Sequence, residues 1–299
     1  ELLARPKLEL LEKEMRDGIA QHRVRIEVAP GVMQHGFLLV PPGSTRRPAV
    51  LVPFYAPEPS VAYDGPRPLE GQAKKIMAKG GKYRDFALQL ARRGFVTLAI
   101  GSPGDDAYHP PLNGAACQPL SYLAYIAANC HTALAQRPEV DPARIGEMGH
   151  SYGGKWAMFA SCLYEKFACA VWSDPDVVFD ESRGYANYWE PWYLGLDPKT
   201  ERKRGLVTPK NPRTGPYKAI FESGHDLHEL HALMAPRPFL VSGGSEDTPA
   251  HWPALNHAIA VNQFLGFKNR VGMTSRSEHS PNAESNEQAF AFLEFVLRP

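Results

Sequence analysis

Five residues, Gly149-His150-Ser151-Tyr152-Gly153, stand between an apolar run at 144–148 and a helical pattern that begins near Lys155. A serine with glycine two residues to either side, a strand pattern before it and a helix pattern after it, constrains this chain more than any other feature. The turn is too sharp for side chains at 149 and 153, and it presents the central hydroxyl at the end of a strand. It also leaves the backbone N–H of Tyr152 without a helical partner, free to meet a negative oxygen. Asp141-Pro142 supplies the break ahead of the strand.

The pattern around this turn sets the architecture. Residues 2–20 read as an amphipathic helix, with Leu8, Leu11 and Met15 on one face. Two alternating stretches, 23–28 and 33–40, joined through Pro30-Gly31, read as an antiparallel strand pair. Beyond them, strand and helix alternate. A short apolar run at 49–54 is of the kind buried on both faces. It is followed by a helix at 83–93, a strand at 95–100, a helix at 120–136 and the strand at 144–148. Later strands fall at 168–173, 238–242 and 270–274, and a helix at 287–297 closes the chain. This order predicts an α/β-hydrolase fold, with a mostly parallel sheet, an antiparallel pair at its start and helices on both faces. The stretch 176–223, rich in aromatics, prolines and charges, breaks the rhythm and is expected to be an insertion over the sheet's C-terminal edge. One domain of 299 residues accounts for the whole pattern.

Composition narrows the partners. Lys and Arg number 33 against 32 Asp and Glu, a balance that gives nucleic acid or an anionic membrane surface no electrostatic footing. No apolar run approaches the roughly 18 residues of a membrane span. The four cysteines, Cys117, Cys130, Cys162 and Cys169, show no metal-ligand spacing, and three of them sit in apolar surroundings expected to bury free thiols. The chain opens on Glu1 rather than methionine, which points to a segment ahead of it and leaves the compartment open.

A serine hydroxyl is a weak nucleophile without a base, and the base of such a turn follows later in the chain. His279, in Ser277-Glu278-His279-Ser280 after the last strand, is the expected base for Ser151. The acid that orients it is expected after the preceding strand, where Gly244-Ser245-Glu246-Asp247 stands. Asp247 is the first choice, Glu246 its neighbour, and Asp174 the rival. The oxyanion donors are the N–H of Tyr152 and, from the loop after the first parallel strand, the backbone N–H of Tyr55. No cofactor or metal is called for. His225, His228 and His231 recur every three residues, but no further ligand completes a site. Tyr185, Tyr188, Trp189, Trp192 and Tyr193, with Glu190 among them, would suit the C–H faces of sugar rings or would anchor the insertion.

The turn continues as Gly154-Lys155-Trp156, and a lysine four residues after the serine resembles the signature of the glucuronoyl esterases. The stretch from Asp226 and His228 through Leu230, Ala232, Leu233 and Ala235-Pro236-Arg237-Pro238 is similar to one those esterases share with acetyl-xylan-esterase-like relatives. The similarity runs from about residue 49 to the C-terminus. It implies Lys155 as a donor to sugar hydroxyls, with Glu190 and Trp252 as further substrate contacts beside Trp192 of the aromatic cluster, and it favours Asp174 as the acid. It also favours a secreted or periplasmic setting. Where that family carries an arginine after the serine, this chain has Tyr152, so carbohydrate ester hydrolysis is the expectation rather than a particular uronate ester. A dienelactone-hydrolase-like or peptidase-like enzyme is the alternative, although the N-terminal stretch is too short for a propeller and speaks against an oligopeptidase. A catalytically silent carbohydrate-binding protein on the same scaffold is the alternative outside enzymes.

Overall fold

The computed structural model describes residues 1–43, 45–78, 82–184 and 187–298. Nine strands form one sheet: β1 (Leu8–Arg16), β2 (Ile19–Ala29), β3 (Val32–Val40), β4 (Arg47–Pro53), β5 (Val96–Ile100), β6 (Val140–His150), β7 (Ala170–Ser173), β8 (Phe239–Gly243) and β9 (Val271–Ser275). Their spatial order is β1-β2-β3-β5-β4-β6-β7-β8-β9. The first three strands and β5 run antiparallel to their neighbours, while β5 against β4 and every later pair are parallel. This is the α/β-hydrolase fold.

The expected N-terminal helix is β1 instead. Leu8, Leu11 and Met15 satisfy a helical period, but Asp17 and Gly18 both take positive φ, 53° and 77°, and fold the chain back at once. Arg16 then faces Ile19 in an antiparallel hairpin, the outcome an Asp-Gly pair favours. The antiparallel start therefore has three strands, not two.

The helices are α1 (Gly71–Ala78), α2 (Phe86–Arg92), α3 (Pro119–Ala135), α4 (Tyr152–Leu163), α5 (Gly215–Glu222), α6 (Leu227–Ala232), α7 (Asn256–Phe264) and α8 (Ala283–Leu297). Alternation along the central strands divides the apolar residues between two cores. Ala49, Leu51, Leu98, Ile145 and Trp172 pack with α3 and α4 on one face. Val50, Val52, Ala99, Met148 and Val171 pack with α2 and α8 on the other. The loops after β4, β6, β7, β8 and β9 gather at the C-terminal end of the parallel strands, where sites in such sheets form. Cys130, Cys162 and Cys169 are buried, and all four cysteines are free thiols. Among the described residues no helix is long and apolar enough to cross a membrane.

Candidate active site

Ser151 sits between β6 and α4 with φ 56° and ψ −118°, a strained conformation for a residue with a Cβ. Such strain costs about 1–3 kcal/mol and persists only where the surroundings enforce it. Here the Ser151 N–H donates to the Ser173 carbonyl at 2.8 Å. A Cβ on Gly149 would fall on the Gly153 carbonyl, and one on Gly153 would fall on the Pro53 carbonyl. The two glycines are therefore a packing requirement of the turn.

His279 lies in the loop after β9, with Nε2 2.9 Å from Ser151 Oγ and Nδ1 2.6 Å from Asp174 Oδ2. Asp174, just past β7, is fully buried. Burial pulls its carboxyl up, but the hydrogen bond and charge of His279, the Asp247 N–H and Arg276 outweigh that and hold it below the usual carboxylate range. A serine, an imidazole and an ionised carboxylate in this sequence can move a proton from Oγ to Nε2 and stabilise the imidazolium that results.

Asp247, the first choice as acid, is not the residue that touches His279. Its carboxylate accepts from the N–H groups of Asp176 and Val177, both at 2.7 Å, and stands 3.3 Å from His251 Nδ1. The Asp174 carboxylate in turn accepts from the N–H groups of Gly244 and Asp247, at 2.7 and 2.8 Å. The loops after β7 and β8 thus exchange carboxylates, and the exchange leaves Asp174 Oδ2 facing the imidazole. Glu246 stands close by, Oε1 at 3.5 Å from His279 Nδ1 and Oε2 at 3.9 Å from Lys155 Nζ. Burial pushes its carboxyl above the usual range, against the pull of Lys155 and His279.

Two cavities open onto Ser151 and Tyr55. One, of about 330 Å³, is lined besides by Phe54, Ile76, Arg84, His150, His279 and Ser280. The other, of about 250 Å³, is lined by Tyr108, Tyr152, Lys155, Gly184, Asn187, Glu190, Tyr193, Arg204, Gly205 and Glu246. Tyr55 lines both cavities, with its phenol on the Ser151 side chain. Burial raises the pKa of that phenol, so it remains a neutral O–H donor. Its ring stacks on Tyr152 at 4.7 Å. Tyr152 opens α4, which leaves its N–H in the unpaired first turn.

Lys155 is buried, donates to the Pro175 carbonyl at 2.5 Å and lies 4.7 Å from the Tyr188 ring centre. Glu190 also lines the second cavity, but its oxygens accept from Arg202 Nη1 and the Gly205 N–H, both at 2.9 Å. Trp192 does not line the cavity. It is buried behind Tyr108, ring centres 5.1 Å apart, because the insertion needs an apolar floor. Trp252 lies with Ile259, Phe267 and Arg270 at a separate cavity beside α7 and β9, since the chain turns away from the cleft after Asp247. Tyr188 and Trp189 anchor the insertion through Pro175, Asp176 and Gly205 carbonyls, and Tyr193 lines the cleft. Tyr185 lies outside the described residues. The three spaced histidines do not converge: His225 pairs with Glu229, His228 meets His257, and His231 is buried beside Trp172.

One residue of the site has no counterpart in the sequence reading. Arg276, just past β9, donates to the carbonyls of His279 and Ser280 and to those of Ser242 and Gly243. It clamps the His279 loop to the end of β8. Its only sequence signal is an arginine three residues before the histidine. The shared stretch before β8 is structural as well: Asp226 caps α6 and accepts from the Phe179 N–H, and Arg237 donates to the carbonyls of Ser161, Tyr164, Phe167 and Leu233.

Similar structures carry the same scaffold. A glucuronoyl esterase from Teredinibacter turnerae superposes with a TM-score of 0.66 at 20% identity, over 97% of this chain and 78% of its own. One from Solibacter usitatus gives 0.68 at 18% identity, over 97% and 86%. Acetyl xylan esterase 1 from Thermoanaerobacterium gives 0.58 at 16% identity, over 97% and 88%. At these identities the likeness shows the fold. No curated protein sequence matches the chain. The sequence profile of the prolyl oligopeptidase family matches residues 124–295, which span more than half of the chain and hold Ser151, Asp174 and His279. The chain belongs to the prolyl oligopeptidase family.

Proposed function

We propose that the protein is a serine-dependent carboxylic ester hydrolase acting on a carbohydrate ester. Ser151 Oγ attacks the ester carbonyl as His279 Nε2 takes its proton, and Asp174 holds the imidazole in the tautomer that can accept it. The Tyr152 N–H and the Tyr55 O–H receive the oxyanion. His279 then protonates the departing alcohol, and water releases the acyl group by the same steps in reverse order.

The observation that carries the carbohydrate reading is the polar cavity beside Tyr152. The oxyanion donors fix the carbonyl, so the acyl portion extends into this cavity, while the alcohol leaves toward His279 and the other one. Lys155, Glu190, Arg204 and Glu246 line the acyl side, a mixture of donors and acceptors that suits a hydroxylated ring. Its volume of about 250 Å³ is more than an acetyl group fills, which favours a sugar acid as the acyl portion. The names of the structural neighbours agree with this reading.

A panel of benzyl glucuronate, acetylated xylan and simple acyl esters tests it. The expected result is a preference for the uronate, with Lys155→Ala lowering kcat/KM on the uronate far more than on a short acyl ester. Equal losses would make Lys155 structural. Family membership supports a second reading, cleavage of a peptide bond, which aminoacyl anilides in the same panel would reveal. Absence of turnover together with no labelling of Ser151 by a fluorophosphonate would favour a silent binding protein.

A further inference from the structure

The cavity on the alcohol side holds a cation that the reaction does not use. Arg84 lines it together with Ser151 and His279. The guanidinium is half-buried, and burial lowers its pKa, the mark of a charge partly stripped of water. It donates from Nη2 to Ser280 Oγ at 2.9 Å. Among the described residues no carboxylate stands within ion-pair distance of it, although most arginines of the chain have one. Arg16, Arg92, Arg137, Arg144, Arg202 and Arg213 are examples. The adjacent Asp85 offers no compensation, because its carboxylate is turned back to accept from Gln89 at 2.7 Å.

The rest of the lining supplies no anion either. Phe54 and Ile76 are apolar, Ser280 is neutral, and burial with the neighbouring charges of His279 and Arg276 keeps His150 uncharged. A guanidinium presents five N–H donors in a planar fork, and the described contacts occupy one. A half-dehydrated fork in an otherwise neutral cavity fits a single planar monoanion better than a doubly charged phosphate, which would call for a second cation.

We propose that Arg84 is a specificity residue selecting esters whose alcohol portion carries a carboxylate. The inference rests on the esterase reading for the side of the bond it assigns. It deepens that reading: the acyl cavity reads hydroxyl groups, and the alcohol cavity reads a negative charge.

Two measurements on the full chain test it. The first is calorimetric binding of 4-(hydroxymethyl)benzoate against 4-(hydroxymethyl)benzamide, which needs no turnover. The wild type should bind the acid about 10- to 100-fold more tightly than the amide. Arg84→Gln should lose that preference, and Arg84→Lys should keep part of it. The second is kcat/KM for 4-carboxybenzyl against benzyl esters of acetate and of glucuronate, where Arg84→Gln should cost the charged ester at least about tenfold more than the neutral one. No preference for the acid in the wild type overturns the proposal. So does a fall in Arg84→Gln that is equal for both esters, since that would make Arg84 a prop for the His279 loop through Ser280. If the acid is preferred in binding while no ester is turned over, Arg84 stands and the esterase reading falls. If esters are turned over with no preference, the reverse holds.

Discussion

The loops after β7 and β8 begin alike and end differently. Each carries a fully buried aspartate that accepts backbone N–H groups from the other loop, two for Asp247 and three for Asp174. Asp174 keeps an oxygen for His279, at 2.6 Å. Asp247 spends both oxygens on the entry to the insertion and meets only His251 beyond it. One carboxylate is placed for chemistry and its twin for architecture, and the difference lies in which histidine each one faces. A buried carboxylate is therefore assigned a role by the partner its oxygens face, not by its position in the chain order.

The largest effect, and the reference for the others, is expected from Ser151→Ala, which should lower turnover by about 10⁴-fold or more in a folded protein. A folded variant retaining a tenth of the wild-type rate would leave the comparison without a reaction to act on. Asp174→Asn should reduce kcat by about 10³–10⁴-fold with KM little changed. Glu246, 3.5 Å from the same nitrogen, is the anion that remains, so Glu246→Gln on that background should lower kcat again. Tyr55→Phe should cost about 10²–10³-fold in kcat, the usual loss for one oxyanion donor. A much smaller loss would return that role to a backbone N–H.

Asp247→Asn should behave oppositely to Asp174→Asn. An amide has one acceptor oxygen for two N–H groups, so one is left unpaired at a cost of about 1–3 kcal/mol in stability, read by denaturant unfolding. Turnover at low temperature should change far less. If Asp247→Asn removed turnover and spared stability, the two aspartates would have to exchange roles. The smallest effects concern pH. Asp174 titrates lower in the folded chain than in the unfolded one, so its stabilisation is complete above the unfolded carboxylate pKa of about 3.9 and is lost as pH falls through the folded value. Glu246 titrates higher when folded, so ionising it weakens the fold as pH rises through its folded value. Thermal unfolding between pH 2.5 and 7 should therefore show Asp174→Asn flattening the acid limb and Glu246→Gln raising Tm slightly at neutral pH.

What the sequence made legible was local. The turn at Ser151 carries its own geometry in two glycines, and the parallel strands announce themselves as short apolar runs between helical periods. His279 was recognisable because the loop after the last strand has one conspicuous histidine. The choice between Asp174 and Asp247 was not legible, because it depends on hydrogen bonds between residues about 70 positions apart. The helix expected at 2–20 is absent for the opposite reason: Asp17-Gly18 is a local turn that overrides the apolar period. Arg276 left no pattern at all, since its partners are main-chain carbonyls that any residue supplies.

Strand β1 forms the rim of the sheet, with one side unpaired and seven of its nine residues exposed. A rim of that length is a template on which a further strand could grow. Its register breaks between Leu10 and Lys13, and Glu9, Glu12, Lys13 and Glu14 charge the same stretch. Those charges and the irregularity disfavour pairing of this edge with a further strand. Smoothing β1 into a regular, uncharged strand would turn a folded molecule into a building block for filaments while leaving Ser151, at the far ends of the central strands, untouched.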